Sequence, residues 1–435
     1  MREMKDSGVP WLKEIPVSWK VERGKNVLVL QKRPVRENDE VVTCFRDGEV
    51  ILRSLRRTEG FTMSDKEIGY QGINEGDIVI HGMDGFAGAM GVSKSTGKGS
   101  PVLIVCTPKY DAIPQYIIYY LRALAMTDVF VALATGIRER SCDLRWNKVS
   151  ELEFIMPSSS EQQKIVEFLD RKCAEVDEMI GLQEQIIEEL KAYKQSVITE
   201  AVTKGLNPDA PMRDSGIEWI GQIPEHWEVH RLKSLFSSRV SGEWGDDAKQ
   251  DERDRICLRI ADFDYQRLRF KECESYTIRN YIKDDADLPY LAKGDILIEK
   301  SGGGEKTPVG RAVIYDLDLE QVMYANFMTR LRVKSHICPW FVKYILSAMY
   351  SNKAIYVYVK QTTGIQNLDL TAMLENEIVH LPSLTEQQAI TDYLEEKCAD
   401  IDSLIQTKLS KIDSLKEYKK SIIYEYVTGK REVTE

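Results

Sequence analysis

Two stretches of the chain carry apolar residues at alternating three- and four-residue steps. The first runs through Leu169, Cys173, Val176, Ile180, Ile187, Leu190 and Val197, the second through Leu394, Cys398, Ile401, Ile405, Ile412, Leu415 and Ile422. That spacing keeps one stripe on one side of an α-helix, and it predicts two long helices with coiled-coil seams. Each seam is interrupted by a polar residue at the same place, Gln183 and Lys408. A polar seam residue is a device for fixing register and partner, so the two helices are expected to pair with each other. Both open on the same spacing, Ser158 to Glu161 and Ser383 to Glu386. This reads as a capping box, with the serine accepting from a first-turn amide and the glutamate reaching back. About 45 residues at about 1.5 Å each make a rod of roughly 65 Å, which is a spacer.

Outside the helices the pattern changes to short β-branched or apolar runs bounded by Gly, Asp, Asn and Pro, as at Glu40–Leu52, Asp77–Ile80 and Val102–Thr107. These read as strands. Residues 114–126 and 339–351 read as helices with one apolar face each, through Tyr116, Tyr119, Tyr120 and Leu124 and through Phe341, Tyr344, Ile345, Ala348 and Met349. Those faces are expected to pack into a core rather than stack on bases. Trp11 with Trp19, and Trp219 with Trp227, are expected to be hydrophobic pins.

The chain repeats itself once, end to end, and a repeat fixes architecture before any single motif does. Asp6-Ser7-Gly8, Trp11, Ile15-Pro16, Trp19, Val21 and Arg23 recur at an offset of 208 as Asp214-Ser215-Gly216, Trp219, Ile223-Pro224, Trp227, Val229 and Arg231. Gly76-Asp77-Ile78 returns at 218 as Gly294-Asp295-Ile296, and Glu161-Gln162-Gln163 returns at 225 as Glu386-Gln387-Gln388. The halves agree at their edges and differ inside, with about ten extra residues before the second Gly-Asp-Ile and about seven after it. The expected architecture is therefore α+β. Two similar domains of mixed strands and helices (1–157 and 206–381) alternate with long helices (158–205 and 382–435), the helices forming an antiparallel coiled coil with pseudo-twofold symmetry.

Composition narrows the class. A 43% hydrophobic share with 29% charge belongs to a soluble globular chain, and at 435 residues more than one core is expected. No apolar run is long enough to span a bilayer and the start lacks a signal peptide's apolar stretch, so a cytoplasmic protein without membrane partners is expected. Eight scattered cysteines never form Cys-x-x-Cys, and the five histidines show no ligand spacing. No metal site or cofactor is expected. The net charge of −10 argues against a simple basic DNA-coating protein. Residues 1–157, however, carry 22 Lys/Arg against 21 Asp/Glu while 158–204 carry 6 against 10, which leaves room for a local basic face.

The run Trp219-Ile220-Gly221-Gln222-Ile223-Pro224-Glu225-His226-Trp227, a Thr-Gly-Ile late in each domain, and Pro-Ser-x-x-Glu-Gln-Gln opening each long helix together resemble the specificity subunits of type I restriction-modification systems. The resemblance covers almost the whole chain. It implies two target-recognition domains on double-stranded DNA, two bound methyltransferase (modification) subunits, restriction subunits that are ATP-dependent translocase/nucleases, and no chemistry by the chain itself. The residues agree on the last point. The Asn/Asp-Pro-Pro-aromatic loop and Gly-rich turn of an amino-methyltransferase are missing, Asn207-Pro208-Asp209-Ala210 being the nearest approach. Gly302-Gly303-Gly304-Glu305-Lys306-Thr307 lacks the contiguous Gly-Lys-Ser/Thr of a phosphate loop.

Bases are distinguished by Arg or Lys on guanine and Asn or Gln on adenine, while phosphate contacts set position. Candidates should be polar and differ between halves. The first half offers Arg53, Arg56 and Arg57, His81 heading the glycine-rich loop to Gly88, and Arg138 and Arg140 after Thr135-Gly136-Ile137. The second offers Lys300, Ser301 and Lys306, and Gln361, Gln366 and Asn367 around Thr363-Gly364-Ile365. Arginine gives way to amides, so the first domain is expected to favour guanine and the second adenine. The target is expected to be bipartite and asymmetric, its halves about one helical turn apart. The competing functions are a stand-alone methyltransferase or nuclease, which the missing motifs oppose, and a structural coiled-coil adaptor, which leaves the unlike interiors unexplained.

Overall fold

A computed structural model of the chain describes residues 2–56, 68–127, 129–130, 144–304, 307–362 and 364–434. The chain divides into two compact units, one formed by Met1–Gln183 with Ser410–Glu435 and the other by Glu184–Leu409. Both boundaries fall inside the long helices.

In the first unit the core sheet has the strand order Leu28–Leu30, Leu103–Pro108, Ile78–His81, Met90–Val92, antiparallel throughout. Ile78, Val79 and Ile80 are all fully buried, as an unbroken apolar run requires of a strand covered on both faces. The helix Pro114–Met126 lies in the same core, starting on a proline whose missing N–H costs nothing at a first helical position.

The second unit repeats that sheet: Phe236–Ser241, Met328–Val333, Ile296–Glu299, Ala312–Ile314 in the same order. It then adds Arg269–Phe270 and Phe263–Asp264 at the far edge. Those added strands lie in the segment before the second Gly-Asp-Ile, which is about ten residues longer than its counterpart. Its helix, Pro339–Ser351, again begins on proline.

The Gly-Asp-Ile motif acquires a physical meaning in both units. Gly76 and Gly294 hold φ of 85° and 89°, a region favouring glycine. The buried Asp77 and Asp295 then accept the backbone N–H three residues upstream, from Asn74 at 2.7 Å and Ala292 at 2.8 Å. Each is neutralised by an arginine, Arg33 in one unit and Arg332 in the other, taken from non-equivalent places in the repeat. The turn into the central strand is thus locked twice by the same device.

The long helices span Ser159–Lys204 and Leu384–Val427. Within the first unit Asp177 meets Lys419 and Phe168 meets Tyr426. Within the second, Lys194 meets Asp402, its Nζ lying 2.7 Å from both carboxylate oxygens, and Gly205 lies against Glu386. In each unit one number rises as the other falls, so the helices pair antiparallel. Leu169, Cys173 and Val176, like Leu394, Cys398, Ile401 and Ile405, are buried as the seam requires.

The helix starts differ in one respect from the capping box that the spacing predicts. Ser158 and Ser383 do accept from the Glu161 and Glu386 amides, at 3.4 and 3.3 Å. The glutamates do not reach back. Glu161 accepts from the indole N–H of Trp19 at 2.9 Å and pairs with Arg2, and Glu386 accepts from Trp227 at 3.1 Å and contacts His226 at 2.9 Å. Both indoles are otherwise buried, so a charged acceptor for the single indole donor outcompetes a cap that solvent can replace. The next residue, Gln162 or Gln387, accepts the N–H that begins the domain helix, from Ile113 and Cys338 at 2.9 Å each, and donates to Pro157 or Pro382. Pro-Ser-x-x-Glu-Gln is therefore a joint between helix and domain.

Among the described residues no helix is long and apolar enough to cross a membrane. Seven described cysteines are free, and all but Cys273 are buried.

Candidate nucleic-acid interface

The first unit's candidates sit around a short hairpin, Val42–Cys44 with Val50–Leu52. Arg53 opens the turn that follows, and its Nε donates to Thr43 Oγ1 at 3.1 Å. Arg56 lies over the Phe45 ring at 4.2 Å and donates to Asp47 and Glu49 at 3.0 Å each. The Arg56 hydrogen bond holds the Asp47 carboxyl below its usual range. Arg46 pairs with Asp84 at 2.8 Å and Lys94 with Glu49 at 3.2 Å. This face alternates in sign, and its arginines are held rather than free-swinging.

His81 ends the central strand and heads the loop to Gly88. Its Nδ1 accepts the Asp84 N–H at 3.0 Å, which assigns the proton to Nε2 and leaves that edge a donor. Burial pushes its pKa below the ordinary histidine value, so the ring is neutral at physiological pH. Arg57, Arg138 and Arg140 lie outside the described residues.

In the second unit the fold gathers the candidates into one small sheet, Ser301–Gly302, Ile365–Leu368 and Val359–Thr362. Ser301 stands opposite Asn367, and Gln361 opposite Gln366. Ser301 Oγ donates to Asn367 Oδ1 at 2.6 Å, which assigns the exposed Asn367 amide NH₂ outward. Gln361 is exposed on the neighbouring strand. Gln366 is buried, and its Oε1 accepts the Val309 N–H at 3.1 Å. Strand alternation explains this: Gln366 and Leu368 share the inner face, and Ile365 and Asn367 the outer. Lys300 is tied by its backbone to Phe327 and Leu368, and its Nζ lies 3.5 Å from Ser241 Oγ. Lys306 lies outside the described residues.

Beneath this sheet lies a network the sequence did not flag. Glu299, one residue before Lys300, is 1% exposed and receives the Arg311 guanidinium at 3.0 and 2.7 Å, with the Tyr265 hydroxyl as a further donor. Arg311 stacks 3.6 Å from the Tyr265 ring centroid. A buried carboxylate with all these partners fixes the strand end from which Lys300 and Ser301 emerge. Glu299 occupies the place of His81 in the repeat, so unlike side chains support unlike edges.

The arrangement can present hydrogen-bond donors, acceptors and a cation to an extended polar ligand. Among the described residues no three His, Cys, Asp or Glu side chains converge as metal ligands.

Comparison with known proteins bears on identity. The model of the type I restriction modification DNA specificity domain matches residues 224–414. Over 425 residues the chain is 25% identical to the type I restriction enzyme MjaVIII specificity subunit of Methanocaldococcus jannaschii, spanning 96% of this chain and 93% of that protein. Two solved structures share the fold. A chain from a study of complex assembly and conformational transition of the type I R-M system superposes with a TM-score of 0.69 at 16% identity, over 96% of this chain and 99% of that one. The HsdS subunit from Thermoanaerobacter tengcongensis gives 0.50 at 17% identity, over 96% and 98%. With the repeated domain, the paired helices and the Pro-Ser-x-x-Glu-Gln joint also in place, the chain is similar along its length to type I restriction-modification specificity subunits, and its residues 224–414 match the specificity domain itself.

Proposed function

We propose that this chain reads a bipartite, asymmetric double-stranded DNA target, and that it scaffolds two methyltransferase subunits and the ATP-dependent restriction subunits while doing no chemistry itself. The observation that carries this reading is one four-stranded scaffold built twice with unlike polar edges. A protein recognising a single or palindromic sequence has no use for two unlike readers on one scaffold. In this proposal residues 1–157 and 206–381 are the target-recognition domains, and 158–205 and 382–435 set their separation. Arg53, Arg56, Arg57, His81, Arg138 and Arg140 face the first half-site. Lys300, Ser301, Lys306, Gln361 and Asn367 face the second, with Gln366 supporting them from inside. Amides favour adenine and arginines guanine, so the second half-site is the more A·T-rich.

Sequencing for modified bases in cells expressing the chain with its partner subunits tests this. The expected result is one methylated motif in two unlike halves separated by an unspecified gap, lost when the chain is deleted. A single uninterrupted or palindromic motif would overturn it, as would methylation or cleavage by the purified chain alone. A first half-site without G·C pairs would overturn the base assignment.

A further inference from the structure

An open pocket of about 410 Å³ lies in the second unit, with Trp244, Arg259, Ile260, Ala325, Asn326 and Phe327 among its lining residues. Its lining is mostly apolar with one guanidinium and one side-chain amide, and among the described residues no carboxylate lines it. Two large aromatic side chains flank it in an exposed setting, Trp244 at 36% and Phe327 at 50%. Exposed aromatics beside an apolar hollow are costly in water unless something covers them.

The Trp244 ring and the backbone that carries Phe327 are held in place. Arg279 stacks 4.6 Å from the Trp244 ring centroid and is itself fixed by the carbonyls of Trp244 and Gly245 at 3.2 and 3.0 Å. Phe327 stands on the tight turn closed by Met328 N–H on Ala325 O at 3.1 Å. Its own carbonyl accepts from Lys300 at 2.8 Å and Ser301 at 3.3 Å. The pocket is therefore continuous with the sheet that carries Lys300, Ser301 and Asn367. Asp262 accepts the backbone N–H of Arg259 at 2.7 Å and its carboxylate lies 3.6 Å from the Arg259 guanidinium.

Trp244, Arg259 and Ile260 come from the segment that is longer in the second half than in the first. The pocket thus lies where the two domains diverge, as a determinant of sequence must.

Resting on the DNA-reading function proposed above, we infer that this pocket reads an A·T pair in the major groove: Phe327 and Trp244 enclose the thymine 5-methyl and Asn326 meets the adenine edge. The thymine methyl is the one apolar group that base edges present in that groove, and an amide matches the adenine N6/N7 pattern. Lys300, beside the turn, meets the flanking phosphate. A stacked Trp244 ring suits this task because little freedom is lost on binding.

The test uses the full chain in complex with its methyltransferase subunits and duplexes carrying the mapped motif, each thymine replaced singly by deoxyuridine. In the unaltered complex one replacement is expected to weaken binding about fourfold, the worth of one buried methyl. In Phe327→Ala and in Trp244→Leu, on separate loops, that difference between thymine and uracil is expected to vanish while discrimination at the other half-site persists. The inference is overturned if no replacement matters in the unaltered complex, or if the sensitive thymine stays equally sensitive in both variants. Absence of any sequence selectivity in the unaltered complex would instead overturn the DNA-reading function.

Discussion

The same ion pair occurs once in each unit and behaves differently in the two. Lys194 and Asp402 bridge the helices in the second unit; Lys419 and Asp177, each displaced by 225 residues in the repeat, bridge them in the first. Lys194 is 6% exposed at its side chain and also donates to the Gln266 carbonyl at 2.7 Å, whereas Lys419 and Asp177 are 25% and 58% exposed. Gln266 belongs to the segment before Gly-Asp-Ile that is about ten residues longer in the second half than in the first. One seam chemistry thus sits in two dielectric environments because the Gln266 loop covers one copy.

A second contrast follows the same rule and is sharper. Asp170 in the first unit accepts the Tyr119 hydroxyl at 2.6 Å beside the apolar Ile118. Its repeat partner Glu395 accepts Tyr344 at 2.9 Å but also Lys343 at 2.6 Å and Arg269. Lys343, the counterpart of Ile118, is fully buried. Burial lowers its pKa while Glu395 opposes the shift. Glu395 itself is held below the usual carboxylate range by Lys343, against the pull of burial. Removing one partner of such a pair strands the other, so Glu395→Ala is expected to cost about 3–5 kcal/mol. Lys343→Ile in the same background, which copies the first unit, should recover most of it. Denaturant midpoints for the single and double variants would break the comparison if the double were no more stable than the single.

The helix pair comes next in size. Asp402→Ala leaves Lys194 buried without its carboxylate and is expected to destabilise by about 3 kcal/mol. Asp177→Ala removes an exposed pair and should cost under about 1 kcal/mol. Raising salt from about 0.1 to 1 M shortens the screening length from about 10 to 3 Å, which should erase the smaller effect and spare the larger. Equal losses in the two variants would show that Gln266 does not set the difference.

How much of this was legible beforehand depends on the kind of information. Periodicity and repeat suffice for the elements: residues 114–126 and 339–351 are helical over the expected span, and both seams are buried apart from Ile180 and Leu190, which are half-buried. A repeat names equivalent positions but not partners. Trp19 and Glu161 each stood out, as a pin and as a cap, yet they are one contact, because only the folded chain brings residues 142 apart together. The Lys194–Asp402 pairing was likewise invisible until the antiparallel register was known. Among the candidates, Gln366 faces inward and its apolar neighbour Ile365 outward, an order hydropathy alone does not give, since Val309 offers an N–H that must be satisfied. The partners of the candidate Arg56 were not legible in the sequence, because Asp47 and Glu49 reach it only across the hairpin. The Trp244–Phe327 pocket had no linear signature, as its walls come from three separated loops.

The smallest difference between the units concerns the glycines ahead of the two central strands. At Gly76 an added Cβ meets nothing within 4 Å, so Gly76→Ala introduces backbone strain alone, about 1 kcal/mol at φ of 85°. At Gly294, φ 89°, the same Cβ would lie 3.3 Å from Pro339 Cγ, tighter than an ordinary contact. Pro339 begins the domain helix, and its ring has little freedom to yield. Gly294→Ala should therefore cost more than Gly76→Ala, by a few tenths of a kcal/mol up to about 1 kcal/mol. Asp77 would keep Arg33 and the Asn74 amide, and Asp295 would keep Arg332 and the Ala292 amide, so each turn persists and the variants remain folded. A denaturation series in which the two alanines cost the same would mean that the Pro339 ring gives way freely, and that the two turns are equivalent in energy as well as in sequence.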